Sequence, residues 1–136
     1  PFLVVTYVIG ATIAGAMFLA IHEITHNLAF KSKKHNNIFA IFANLPIVAP
    51  YAISFKVYHG LHHWHQGTDG IDVDIPMVKE ASFFRGIIGK LTWYINQILV
   101  YAFRPIFVKK IKLDKWQKYN IAFQLVAMAI YLLQIL

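Results

Sequence analysis

Residues 2–21 (FLVVTYVIGATIAGAMFLAI) carry no charge. A helix rises ~1.5 Å per residue, so twenty residues reach about 30 Å, the thickness of a bilayer's hydrocarbon core. A secretory signal is the competing reading, but no basic segment precedes this run and the polar HEITHN after it makes a poor cleavage site. The sequence therefore predicts a transmembrane helix, with Gly10, Gly15, Ala11, Ala14 and Ala16 offering small residues for close helix packing. Composition agrees: 58% of residues are hydrophobic and 14% charged, against roughly 45–50% and about 25% in soluble domains. A net charge of +7 raises nucleic acid as a partner, but the lysines cluster between apolar segments, as membrane topology requires, so nucleic-acid binding is excluded. With no Cys in the chain, any bound metal must take nitrogen and oxygen ligands.

The span ends on His22-Glu23-Ile24-Thr25-His26. His22 and His26 are four apart, on one helical face if the helix runs on by a turn. Lys31, Lys33 and Lys34 follow and mark that end as cytosolic. His35, in KKHNN, reads as a solvated loop residue rather than a ligand. The second cluster, His59-Gly60-Leu61-His62-His63, puts three imidazoles in five residues at spacings of i, i+3 and i, i+4. Gly67 and Asp69-Gly70 end that turn, and Pro76 closes the polar loop. Five neutral imidazoles brought together make chemical sense chiefly as a metal site.

Such a site constrains topology. If 38–55 (IFAIFANLPIVAPYAISF) crossed the bilayer once, His59 would lie about 30 Å from His22, on the opposite surface. Pro46 and Pro50 break the helix, so this segment is expected to be re-entrant or interfacial and to return. Residues 83–108 are apolar but interrupted by Arg85, Lys90 and Arg104, each costing about 2.5–3.5 kcal/mol at mid-bilayer. They are followed by Lys109, Lys110, Lys112, Lys115 and Lys118. The expectation is an interfacial or shallowly re-entrant pair of amphipathic helices. Residues 119–136 then open a second transmembrane helix, truncated where the sequence stops. The fold class expected is all-α integral membrane. Pro1 in place of an initiator Met suggests a piece of a longer protein, one fragment of a single domain over 1–136.

Two chemical readings are open at the first cluster. H-E-x-x-H is also the zinc-protease motif, with Glu23 activating a metal-bound water. That reading needs Asp69, Asp72 or Glu80 as a third ligand and leaves His59, His62 and His63 without a use. A non-catalytic membrane anchor is a further alternative. Trp64, Phe55 and Tyr58 read as interfacial anchors more readily than as the lining of an acyl slot.

H-x3-H at the cytosolic end of a membrane helix, followed by H-x2-H-H, resembles the first two histidine boxes of the membrane fatty-acyl desaturase and hydroxylase superfamily. HEITHNLAF, IFANLPI, SFKVYHGLHH, DGIDVDIP and YAFRP, spread over residues 14–108, resemble its sphingolipid Δ4-desaturase branch. The resemblance implies a non-haem di-iron oxidoreductase of the endoplasmic reticulum membrane, its histidines facing the cytosol. It also implies O2 as co-substrate, a cytochrome b5-type electron donor with its reductase, and a ceramide-like lipid substrate. On that reading His22, His26, His59, His62 and His63 are iron ligands. A sphingolipid C4-hydroxylase on the same scaffold is the nearest alternative. Glu23, Asn27, His65, Asp69, Asp72 and Asp74 are candidates to accept the second N–H of a ligating ring. Two departures stand out. The family's third histidine box is absent, so the fragment alone is expected to be inactive. Trp64-His65-Gln66 also stand where the family has a basic residue and an aromatic before Gly67.

Overall fold

A computed structural model describes residues 1–135; these are helical with no strand. The chain forms two compact units. One comprises Pro1–Lys56 with the segment from Leu113 on, the other Val57–Lys112.

In the first unit, α1 (Phe2–Val5), a π-helical turn (Thr6–Gly10) and α2 (Ala11–Thr25) run on as one helix. Over Phe2–Thr25 it is long and apolar enough to cross a membrane, with a mean hydropathy of 2.1. Buried side chains appear only at its end, at Ile21, Ile24 and Thr25. Upstream, Phe2, Tyr7 and Leu19 are more than two-thirds exposed, a surface that only an apolar solvent or an apolar partner can cover.

α3 (Lys33–Ala43) and the start of α4 (Ala52–His65) flank the proline-bearing turn. At ~1.5 Å per residue α3 is only about 16 Å long, too short to cross a bilayer. His35 lies in the first turn of α3, not in a loop, and is exposed. The turn is organised by Asn44, which is fully buried. Its Oδ1 accepts the backbone N–H groups of Tyr51 (2.9 Å) and Ala52 (2.6 Å), and its Nδ2 donates to the Ala49 carbonyl (2.8 Å) and to Gln124 Oε1 (2.8 Å). Prolines remove backbone donors from this stretch, and one side-chain amide supplies what the backbone lacks.

α7 (Lys115–Ile135) starts with a reciprocal cap: Gln117 N–H donates to Asp114 Oδ1 (2.8 Å) and Asp114 N–H to Gln117 Oε1 (3.0 Å). Gln117, Asn120 and Gln124 line one buried face. Asn120 Oδ1 takes the Ile53 N–H (3.1 Å) and Gln117 Nε2 donates to Ser54 Oγ (3.2 Å), so α7 satisfies one backbone N–H and one side chain in the first turn of α4. The span expected at 119–136 thus falls in a helix with a polar inner stripe, and Leu136 lies outside the described residues. Among those residues Phe2–Thr25 alone meets the length and hydropathy of a span. The core joins Ile21, Ile24, Ala40, Ile41, Ile47, Ala52 and Ile53, with Trp116 packed against them.

The second unit holds the later turns of α4, a loop, α5 (Val78–Phe83) and α6 (Gly86–Val108). The helix pair expected within 83–108 is instead one helix of 23 residues after a short one. The break comes earlier, at Phe84–Gly86, where Gly86 adopts φ 70°. Pro105 falls in the last turn of α6, where its missing N–H breaks one hydrogen bond and leaves the helix continuous.

Candidate metal centre

His22 sits in the last turn of α2 and His26 caps it. The four-residue spacing works as the sequence requires: the two rings lie edge to face with centroids 4.8 Å apart. Glu23 Oε1 accepts from His22 Nδ1 at 3.0 Å, because a carboxylate can only accept. The opposite face of His22 meets Phe55 of α4, centroid to centroid 6.1 Å, and Phe55 stacks on Tyr51 at 4.9 Å. Asn27 takes a different task from the one expected. At φ 62° it turns the chain after α2, and its Oδ1 accepts the Lys56 ammonium (2.7 Å), which also bonds Asn37 Oδ1 (2.7 Å). Burial first, and Lys33 second, hold the Lys56 pKa below its ordinary value.

In the second unit, one turn of α4 carries His59, His62 and His63. The His59 and His63 rings lie 4.5 Å apart and edge to face, and their Nε2 atoms are separated by 3.0 Å. Two imidazole ligands of one ion, each bonded at about 2.0–2.1 Å, can have that separation. His62 lies 5.7 Å from His59 and 5.6 Å from His63.

The loop after α4 supplies the carboxylates. Gly67 (φ 81°) and Gly70 (φ 78°) adopt left-handed backbone conformations that turn it back, at the two places the sequence marks as turns. His62 Nδ1 donates to both oxygens of Asp72 at 3.0 Å, and His59 Nδ1 donates to Asp74 Oδ2 at 3.1 Å. The Asp72 side chain is wholly buried. Burial alone would raise its pKa, but the N–H groups of Gly67 (3.0 Å), His62 and Asp74 (2.9 Å) outweigh burial and hold it below the usual carboxylate value. With Nδ1 engaged, Nε2 is the nitrogen that His59 and His62 could offer to a metal. The donor set, imidazoles orientated by carboxylates, fits a nitrogen-ligated transition metal such as iron.

The remaining candidates separate. Asp69 Oδ1 accepts the Val78 N–H (3.0 Å) and so caps α5 rather than orienting a ring. His65 and Trp64 are exposed, Trp64 at 86%. Tyr58 donates to the Lys109 carbonyl (2.9 Å). Glu80 is held by Arg104 and Trp93, and Asp72 by three N–H donors. The third ligand that a zinc-protease reading of HEITH requires is therefore engaged elsewhere. The sequence reading missed Tyr101 and Arg104 of α6, whose partners stand 24 to 31 residues away in the chain.

Over residues 1–136 the chain matches the model of a family described as fatty acid desaturase. It is 48% identical over 125 residues to a sphingolipid delta(4)-desaturase of Candida albicans, covering 92% of this chain and 34% of that one. It is 43% identical over 123 residues to the Schizosaccharomyces pombe protein of the same name, covering 90% and 34%. To the Homo sapiens sphingolipid delta(4)-desaturase DES1 it is 53% identical over 104 residues, covering 75% and 32%. No solved structure matches. The chain spans about a third of the length of these curated relatives. Clustered histidines bonded to carboxylates, an apolar helix leading into the first cluster, and a family match along the whole sequence together mean that the chain belongs to the fatty acid desaturase family.

Proposed function

We propose that the protein to which this chain belongs is an O2-dependent di-iron desaturase of membranes, introducing a Δ4 double bond into the sphingoid chain of a dihydroceramide. The observation that carries this reading is the pair of contacts His62–Asp72 and His59–Asp74, which fix two imidazoles of the second box in a ligating tautomer. His22, His26, His59, His62 and His63 are the residues assigned to iron. Further ligands belong to parts of the protein beyond this sequence.

Iron, with O2 and electrons from a cytochrome b5-type carrier and its reductase, would supply the oxidant that cleaves an unactivated C–H bond, for which no amino-acid side chain suffices. The chain's own residues do the rest. Asp72 and Asp74 fix ring orientation, Glu23 does so for His22, and Phe55 and Tyr51 keep an apolar wall beside the first box. The Phe2–Thr25 helix anchors that box at the membrane surface, with the endoplasmic reticulum and a cytosol-facing centre as the assigned setting. The names of the relatives favour desaturation over C4-hydroxylation.

The test is made on the full-length protein in cells that lack their own activity. Ceramide should form from dihydroceramide with wild type and vanish with His59→Ala, His62→Ala or His63→Ala, and the purified protein should hold about two irons. One zinc without iron, or ceramide formation untouched by the three substitutions, would sink the proposal.

A further inference from the structure

The carboxylates that orient His59 and His62 sit on a short loop, and a loop alone holds nothing still. Within Asp72-Val73-Asp74 the first two residues are nevertheless buried, Asp72 at 1% exposed and Val73 at 3%. What pins it comes from α6. Tyr101 and Arg104 stand three apart on one helical face, the guanidinium 5.8 Å from the tyrosine ring centroid. Tyr101 Oη donates to Asp74 Oδ1 at 3.1 Å, while the other oxygen of the same carboxylate takes His59 Nδ1. Arg104, 4% exposed, sends Nη1 to the Val73 carbonyl at 3.0 Å. Its remaining fork grips Glu80, Nε to Oε2 at 2.9 Å and Nη2 to Oε1 at 2.8 Å, and Trp93 Nε1 donates to Oε1 at 2.6 Å.

A buried ion pair adds little net stability over an apolar filling of the same shape. Stapling α5 to α6 would need Glu80 and Arg104 only. It would not need the guanidinium to reach the Val73 carbonyl, or a hydroxyl to reach Asp74. We propose that Tyr101 and Arg104 are positioning residues for the metal centre: Tyr101 fixes the Asp74 carboxylate against His59, and Arg104 fixes the backbone between Asp72 and Asp74, so that α6 sets the orientation of the second histidine box. The role rests on the assignment of His59 and His62 as metal ligands, and all of its contacts lie within the unit Val57–Lys112.

The experiment uses full-length protein in detergent, stripped with chelator and titrated with Co(II), whose visible absorption reports ligation. Tyr101→Phe removes one hydroxyl and keeps the ring. Its Kd for Co(II) should rise about 10-fold, the effect of losing an outer-shell partner, with the Co(II) bands shifted and the unfolding temperature of the metal-free protein unchanged. Arg104→Gln should weaken Co(II) more than Glu80→Gln does, because Glu80→Gln leaves the bond to the Val73 carbonyl in place. If Arg104→Gln does not fold, Tyr101→Phe decides alone. Wild-type Co(II) affinity and bands in Tyr101→Phe, with Asp74→Ala weakened, would overturn the inference and leave the desaturase reading standing. A wild-type protein that takes up no Co(II), while its His62→Ala variant behaves identically, would overturn the metal centre itself.

Discussion

Asn44→Ala tests whether one buried amide holds the fold-back between α3 and α4. Asn44 Oδ1 accepts two N–H groups, from Tyr51 at 2.9 Å and from Ala52 at 2.6 Å, and Ala52 is fully buried. Truncation leaves the buried Ala52 amide without an acceptor, at about 1–3 kcal/mol, while the Tyr51 N–H keeps the Ala49 carbonyl at 2.8 Å. It also removes the donor to Gln124 Oε1, worth about 1 kcal/mol. The Ala52 amide and the lost Gln124 bond together amount to roughly 2–4 kcal/mol, a large part of the ~5–15 kcal/mol that keeps a protein folded. Gln124→Leu removes a single one of these bonds and should cost about 1 kcal/mol. In thermal unfolding of the full-length protein in detergent, a change of ~1 kcal/mol moves the midpoint by about 2–4 °C. Asn44→Ala should therefore lower it by at least about 4 °C, well beyond Gln124→Leu, with new proteolytic cleavage between Asn44 and Ala52. Equal midpoints for Asn44→Ala and wild type would refute the reasoning.

Asp72→Asn keeps the shape of the side chain but offers one acceptor oxygen where Gly67, His62 and Asp74 donate; metal affinity should fall by about 10–100-fold, read by iron titration of the stripped protein. Glu80 is a pH-dependent prop. Burial would raise its pKa, but hydrogen bonds from Arg104 and Trp93 and the guanidinium charge carry it below the ordinary carboxylate value. Because the folded pKa is the lower one, its contribution is present above the unfolded pKa of about 4.3 and is lost as pH falls through the folded value. Trp93 fluorescence during acid titration should show that step, and Glu80→Gln should abolish it. Gly89→Ala would place a Cβ 2.7 Å from the Phe84 carbonyl carbon and 3.0 Å from its oxygen. The exchange, which raises helix propensity by about 1 kcal/mol, should here lower the unfolding midpoint.

Local features were legible in the sequence and distant ones were not. The apolar run, the helical spacing within each histidine box and the turn glycines at 67 and 70 depend on neighbours a few residues away, so periodicity and residue type reveal them. Asp69, Asp72 and Asp74 could be singled out because they crowd a short loop near the second box, although it could not be read that Asp69 would serve α5 while the other two meet rings. Asn44 reads in the sequence only as a polar interruption; its role comes from Gln124, 80 residues on. Arg104 reads as a charge that must avoid the bilayer centre, whereas it is buried against Glu80 and the Val73 carbonyl. Asn27 shows the opposite error, since proximity to His26 in the chain suggested a partner for a ring and its side chain serves Lys56 instead.

The distribution of carboxylates bears on the chemistry the chain can support. Six acids occur in 136 residues, and three of them, Glu23, Asp72 and Asp74, contact the Nδ1 of His22, His62 and His59 in turn. The others are engaged in structure: Asp69 caps α5, Asp114 caps α7, and Glu80 neutralises Arg104. A hydrolytic zinc site would need a carboxylate facing a metal-bound water and another ligand besides the HEITH pair. Here each of these carboxylates accepts from a ring Nδ1, which makes the imidazole a better donor at its other nitrogen. Iron fits that arrangement because its chemistry with O2 asks the protein for neutral nitrogen ligands held rigidly in an apolar surround. In a chain with few charges, half of the acids accept from imidazole Nδ1 atoms, an arrangement that the proposed redox chemistry uses and hydrolysis would not.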